Sequence, residues 1–182
     1  GGENLAGQNK GDDTAARSVA FLGLMFALAM ALSLLESMIP ALPMLPPGVK
    51  LGLSNIVTMY CLFFLGARSA FTVAALKSCF VLLLRGPAGA SMSLAGGLLS
   101  VLVMRLLLLS KQMREQVPLV SIVGAISHNV GQLLAASVLL RSAAALYYLP
   151  VMILAGVGMG VLTGLTLRLV MPYFQRLSKA MK

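Results

Sequence analysis

From Ser18 onward the chain is a succession of six long apolar runs separated by short breaks, and this pattern decides which solvent it folds in. The runs cover residues 19–39, 51–65, 69–84, 91–109, 119–140 and 146–171. The breaks fall at 40–50, 66–68, 85–90, 110–118 and 141–145. A helix needs about 20 residues to cross the hydrocarbon core of a bilayer. The second and third runs are shorter, so they are expected to be shielded by neighbouring helices. A soluble domain carries roughly 25% charged residues to wet its surface, whereas here the share is 10% and apolar residues reach 59%. The surface must therefore face lipid. The sequence predicts an all-α polytopic membrane protein: six transmembrane helices within residues 18–182, preceded by a flexible polar tail at 1–17 rich in Gly, Asn and Asp. The first run is too long for a cleavable signal, and more such runs follow it.

The formal net charge of +9 raises the question of nucleic acid. The basic residues form no single patch, and no aromatic-and-basic module accompanies them. They sit singly at the ends of apolar runs. One side of the expected bundle collects Lys10, Arg17, Arg68, Arg105, Lys111, Arg114, Arg168, Arg176, Lys179 and Lys182, and the other has Lys50, Arg85 and Arg141. The positive-inside rule then puts both termini in the cytoplasm.

Several kinds of chemistry are missing. There is no GxxxxGK[ST] loop for ATP and no Cys/His/carboxylate cluster with metal-ligand spacing, so neither a metal nor a cofactor is expected. Cys61 and Cys79 lie within apolar runs, away from the single histidine, and read as buried structural thiols. The chain has five acids, of which the adjacent pair Asp12 and Asp13 falls in the polar tail. A Mg²⁺–diphosphate site draws on clustered carboxylates, so prenyl-transfer catalysis is excluded and no enzyme activity is expected.

Polar and ionisable residues inside apolar runs carry the functional expectation, because charge in a bilayer is expensive. Lys77 falls near the middle of the third run. Glu36 is near the outer end of the first, Lys50 opens the second with Asn55 just over one turn beyond it, and Arg85 closes the third. His128, Asn129 and Gln132 lie midway along the fifth, where Ser121, Ala125, His128 and Gln132 form one stripe at about 100° per residue. Lipid cannot satisfy such a stripe, so it faces protein or a cavity. Glu36, Lys50, Asn55, Lys77, Arg85, His128, Asn129 and Gln132 are thus candidate ligand contacts, and their positive balance favours a small anion. Three alternatives stand at this point: Lys50 and Arg85 as side chains that snorkel to lipid headgroups, Glu36 as the ion-pair partner of Lys77 or Arg85, and His128 as a satisfied interhelical hydrogen bond.

Small residues recur every four positions at Gly23, Ala27 and Ala31, and again at Gly156, Gly160 and Gly164. Such seams let helices approach closely. Ala31 and Glu36 point about 140° apart on a helix, so with Glu36 facing a cavity the first seam faces outward, as a docking surface for another membrane protein.

The stretches PPGVKLGLSNIVTMYCLFFLGARSAF (46–71), SLAGGLLSVLVM (93–104) and GAISHNVGQLLAA (124–136) resemble the bacterial Gx transporter family, also labelled heptaprenyl diphosphate synthase component I. More distantly, the layout is similar to the S-components of energy-coupling factor (ECF) vitamin transporters. Those have six helices, cytoplasmic termini and an Ala-xxx-Ala motif on the first helix that docks on the transmembrane coupling subunit, which Ala27 and Ala31 match. The resemblance implies a bacterial inner-membrane protein that captures a small anionic solute from outside, beneath the loop 40–50, and topples when partner ATPases hydrolyse ATP. Pro40, Pro43, Pro46 and Pro47 would make that loop a stiff lid. A flavin, a quinone precursor or a prenyl phosphate would suit such a pocket. The alternative implied by the second label is a non-catalytic membrane subunit of a polyprenyl diphosphate synthase.

Overall fold

The computed structural model describes residues 2–38 and 52–180, with side chains at 15–38, 52–173 and 176. Lys50 and the expected lid at 40–50 lie outside the described residues. The described chain is helical: α1 (Gly2–Met38), α2 (Asn55–Phe64), α3 (Ala67–Leu107), α4 (Lys111–Glu115), α5 (Val117–Leu139), a 3₁₀ turn (Ala143–Tyr148) and α6 (Leu149–Ala180).

Among these, four segments are long and apolar enough to cross a membrane: Ala15–Met38, Ala67–Leu107, Val117–Leu139 and Ala143–Tyr173. Two features set the second, third and fourth runs apart, and the shortness of the second was expected from its length. The second run yields only the ten residues of α2, because its first part is taken up by a tight turn in which the Asn55 N–H donates to the Gly52 carbonyl at 2.9 Å. The third and fourth runs are the two limbs of α3, joined at Gly86, where φ is 72° and ψ is −174°. Few residues but glycine adopt that φ readily, and Pro87 follows it, suited to a first helical turn where its missing N–H leaves nothing unsatisfied.

The limbs of α3 run antiparallel. Ser78 Oγ donates to Ser93 Oγ at 3.3 Å, and a Cβ built on Gly97 would touch Ala74 at 3.4 Å. Both pairs are centred on residues 85–86. At the other end of the molecule, α1 starts at Gly2, so the polar segment read as a flexible tail continues the first helix. Once a helix is nucleated, adding residues such as Ala15 and Ala16 at its end meets little resistance.

α5 is the central helix. Gly156, Gly160 and Gly164 of α6 press on its backbone: a Cβ at those positions would come within 3.0 Å of Ile126 Cα, 2.3 Å of Ile122 Cα and 2.9 Å of Pro118 Cα, respectively. On another side, Gly131 lies against the Ala95 carbonyl and Gly96 Cα, where a Cβ would stand 2.8 Å from each. Small residues therefore set the α5–α6 and α3–α5 distances, the packing mode available where lipid supplies no hydrophobic drive between helices.

Two apolar clusters stack along the bundle. One joins Met25, Val57, Val73, Val101, Val120 and Leu167, among others. The other joins Met92, Leu133, Ala136, Ala145 and Met152. Between them on α5 come Ser121, His128, Asn129 and Gln132, all buried. Outside, Leu24, Leu83, Val138, Leu154 and Leu169 are largely exposed, as residues facing acyl chains would be. Cys61 is buried as expected. Cys79, however, is exposed on the outer face of α3, one position beyond inward-facing Ser78.

Candidate functional site

Between the two apolar clusters lies a small polar cavity of about 20 Å³, room for one or two water molecules. α1 contributes Ser33 and Glu36, the end of a buried stripe that begins with Met25 and Ala29. The turn before α2 contributes Gly52 and Ser54, α3 contributes Lys77, Val81, Arg85, Gly89 and Ser93, and α5 contributes His128 and Gln132.

Lys77 is 2% exposed. Among the described residues its Nζ has one hydrogen-bond partner, the Oδ1 of Asn55 at 3.3 Å. An ammonium carries three donors, and this bond engages one of them. The Glu36 carboxylate accepts the backbone N–H of Gly52. Gly52 is needed here twice: its φ is +90°, and a Cβ on it would stand 2.7 Å from Asn55 Nδ2. His128 is 3% exposed with its Nδ1 unpartnered, and its ring packs against Gly96 of the second α3 limb, where a Cβ would lie 3.0 Å from Cε1. Counting Lys77 and Arg85 against Glu36, the lining carries one excess positive charge. Such a surface can attract an anion and hold it by hydrogen bonds. Among the described residues, no three of His, Cys, Asp and Glu come together as metal ligands.

Of the residues singled out from sequence, Glu36, Lys77, Arg85, His128 and Gln132 line this one cavity. Asn55 stands at its floor as the partner of Lys77. Asn129 is not among its lining residues: its Nδ2 donates instead to the Met152 carbonyl at 2.8 Å, tying α5 to α6. One residue along a helix is a rotation of about 100°, enough to turn Asn129 from the cavity that His128 faces. The sequence reading missed Ser33, Gly52, Ser54 and Ser93. Ser33 sits one turn before Glu36 on the same stripe, a signal at hand. Ser93 reaches the site only because α3 folds back at Gly86. Gly23, Ala27 and Ala31 are exposed on the face of α1 opposite the Met25–Ala29–Ser33–Glu36 stripe.

The family model described as "Heptaprenyl diphosphate synthase component I" matches residues 25–170. The chain belongs to that family. This member of the heptaprenyl diphosphate synthase component I family also shares its fold with a solved structure, the S component of a bacterial ECF transporter. The TM-score is 0.57 and the identity 17%, over 92% of this chain and 99% of that one. No curated protein matches this family member. Its long apolar helices and its fold neighbour agree that it is embedded in a membrane.

Proposed function

We propose that this chain is the substrate-binding membrane subunit of an ECF-type importer and that it captures a small anionic solute from the outer side. The observation that carries the reading is the buried ammonium of Lys77, held by one neutral hydrogen bond on a cavity it shares with Arg85 and His128. A bundle gains little stability from burying two cations against one carboxylate, whereas a capture site for an anion gains its principal contact. Likeness of fold to an S component supports the same reading.

On this reading the two limbs of α3 and the short α2 act as separate traversals, giving six in all, with both termini in the cytoplasm as the Lys/Arg distribution favours. Gly23, Ala27 and Ala31 face a transmembrane coupling subunit, and the ATPases bound to that subunit supply the energy. Glu36, Asn55 and Gln132 shape the anion site around Lys77, Arg85 and His128, with Lys50 joining from the outer loop. The ligand belongs to the class of flavins, quinone precursors or prenyl phosphates.

The family's description favours a second reading, a non-catalytic membrane subunit of a polyprenyl diphosphate synthase. The partner distinguishes the two. Co-purification with an ECF coupling module, together with a small anion retained in native mass spectrometry from mild detergent, supports import. Stable association with a soluble prenyl synthase and no coupling module would replace it.

A further inference from the structure

Next to the cavity of Lys77 is a second void of about 10 Å³ with different walls. Among the described residues, no charged side chain lines it. Met59, Met104 and Met159 do, with the hydroxyl-bearing Ser100, Ser121 and Thr163. The two voids are stacked along α5: His128 and Gln132 face the first, Ser121 and Ala125 the second. That is an offset of about seven residues, or roughly 10 Å along the helix axis. Gly52 borders both voids. Asn55 lines the second while accepting the hydrogen bond of Lys77 in the first. The partition between them is thus about one side chain thick.

At about 10 Å³ the second void holds at most one water molecule as it stands, so a larger guest depends on its walls repacking. Thioether side chains are unbranched and repack readily around an incoming apolar group. We infer that the site takes an amphiphilic anion: an acidic head held by Lys77 beside His128, and a slender apolar arm that displaces the Asn55 amide and lies among the three methionines. The inference rests on the anion-capture reading above and adds the shape and polarity of the solute. A compact anion occupies the first void alone.

Calorimetric titration of the full chain in detergent with methyl phosphate and hexyl phosphate tests this. Each buried methylene strengthens binding roughly fourfold, so hexyl phosphate is expected to bind at least about tenfold more tightly. In Thr163→Leu, which fills the second void, the ratio of the two affinities should fall toward one. Partition of the hexyl arm into micelles is common to both proteins and cancels in that comparison. Ala125→Val, a smaller intrusion into the same void, makes the same test if the leucine variant does not fold. Equal affinities in the unaltered chain, or a ratio untouched by these changes, would overturn the two-tier site while leaving the anion reading intact. Binding of neither probe, or binding indifferent to Lys77→Met, would overturn both.

Discussion

The Nζ of Lys77 and the Oδ1 of Asn55 are 3.3 Å apart, and this hydrogen bond couples a buried cation on α3 to the first residue of α2. It is a neutral tether. It orients the ammonium without cancelling its charge, and the opposing charge on the same cavity is that of Glu36.

Replacing Lys77 with methionine is therefore expected to lower affinity for an anionic ligand by roughly 10- to 100-fold, the range for a hydrogen bond to a charged group. Thermal stability should hold or rise. Asn55 loses a donor, at about 1 kcal/mol, but a desolvated ammonium is removed. If Lys77 were instead half of an internal pair with Glu36, the single variant would melt much earlier and the double change Lys77→Met with Glu36→Gln would restore it. Melting curves of both proteins, run beside a binding assay, decide the matter.

Glu36→Gln keeps an oxygen to accept the Gly52 N–H and removes the negative charge from the cavity wall. Anion affinity should rise at least a few-fold, while any fall in melting temperature reads how far Glu36 offsets Lys77 and Arg85 on the same cavity. A loss of affinity in titration would mean that the carboxylate itself binds the solute, and the sign assigned to the ligand would have to be reversed.

Ala27→Leu and Ala31→Leu add bulk to an exposed face of α1, away from its buried stripe. The isolated variants should remain monodisperse in detergent and keep their ligand affinity, and their assembly with the coupling subunit should be lost. Aggregation of the isolated variants would contradict an outward seam. Intact assembly would remove the seam from the interface.

Gly158 and Gly160 lie two residues apart on α6. A Cβ at Gly158 meets nothing within 4 Å, whereas one at Gly160 would stand 2.3 Å from Ile122 Cα. Gly160→Ala should thus force α5 and α6 apart, destabilising the fold by about 3 kcal/mol, while Gly158→Ala should be neutral or slightly stabilising through helix propensity. Equal melting temperatures for the pair would show that the two helices are not held by this seam.

The parts of this site that sequence revealed are those whose signal lies within one helix. Lys77 is conspicuous because an apolar run has no use for it, and the Ser121–Ala125–His128–Gln132 stripe follows from helical periodicity. Asn129 carries the same chemical signal as its neighbour, and only the position of α6 distinguishes them, since its amide reaches the Met152 carbonyl. Ser93 resembles any small residue in a packed helix until the fold-back brings it to Ser78. Where α2 begins and how sharply the two limbs of α3 turn follow from backbone conformations at Gly52 and Gly86, which hydropathy does not register. Cys79 was misjudged for a related reason: within an apolar run, a small residue facing lipid looks the same as one facing the core.

The reversal at Gly86 also bears on how the chain enters a bilayer. A lysine presented to lipid at mid-helix opposes insertion by about 3 kcal/mol, and the limb at 67–85 carries Lys77 with no acid on it. Because one residue turns the chain, the apolar limb at 87–107 follows at once, and closing so short a loop takes little entropy. The two limbs can insert together as a hairpin, with the side of the first limb that bears Ser78 already laid against the second. A buried lysine is thereby made tolerable during biogenesis by its successor in the sequence.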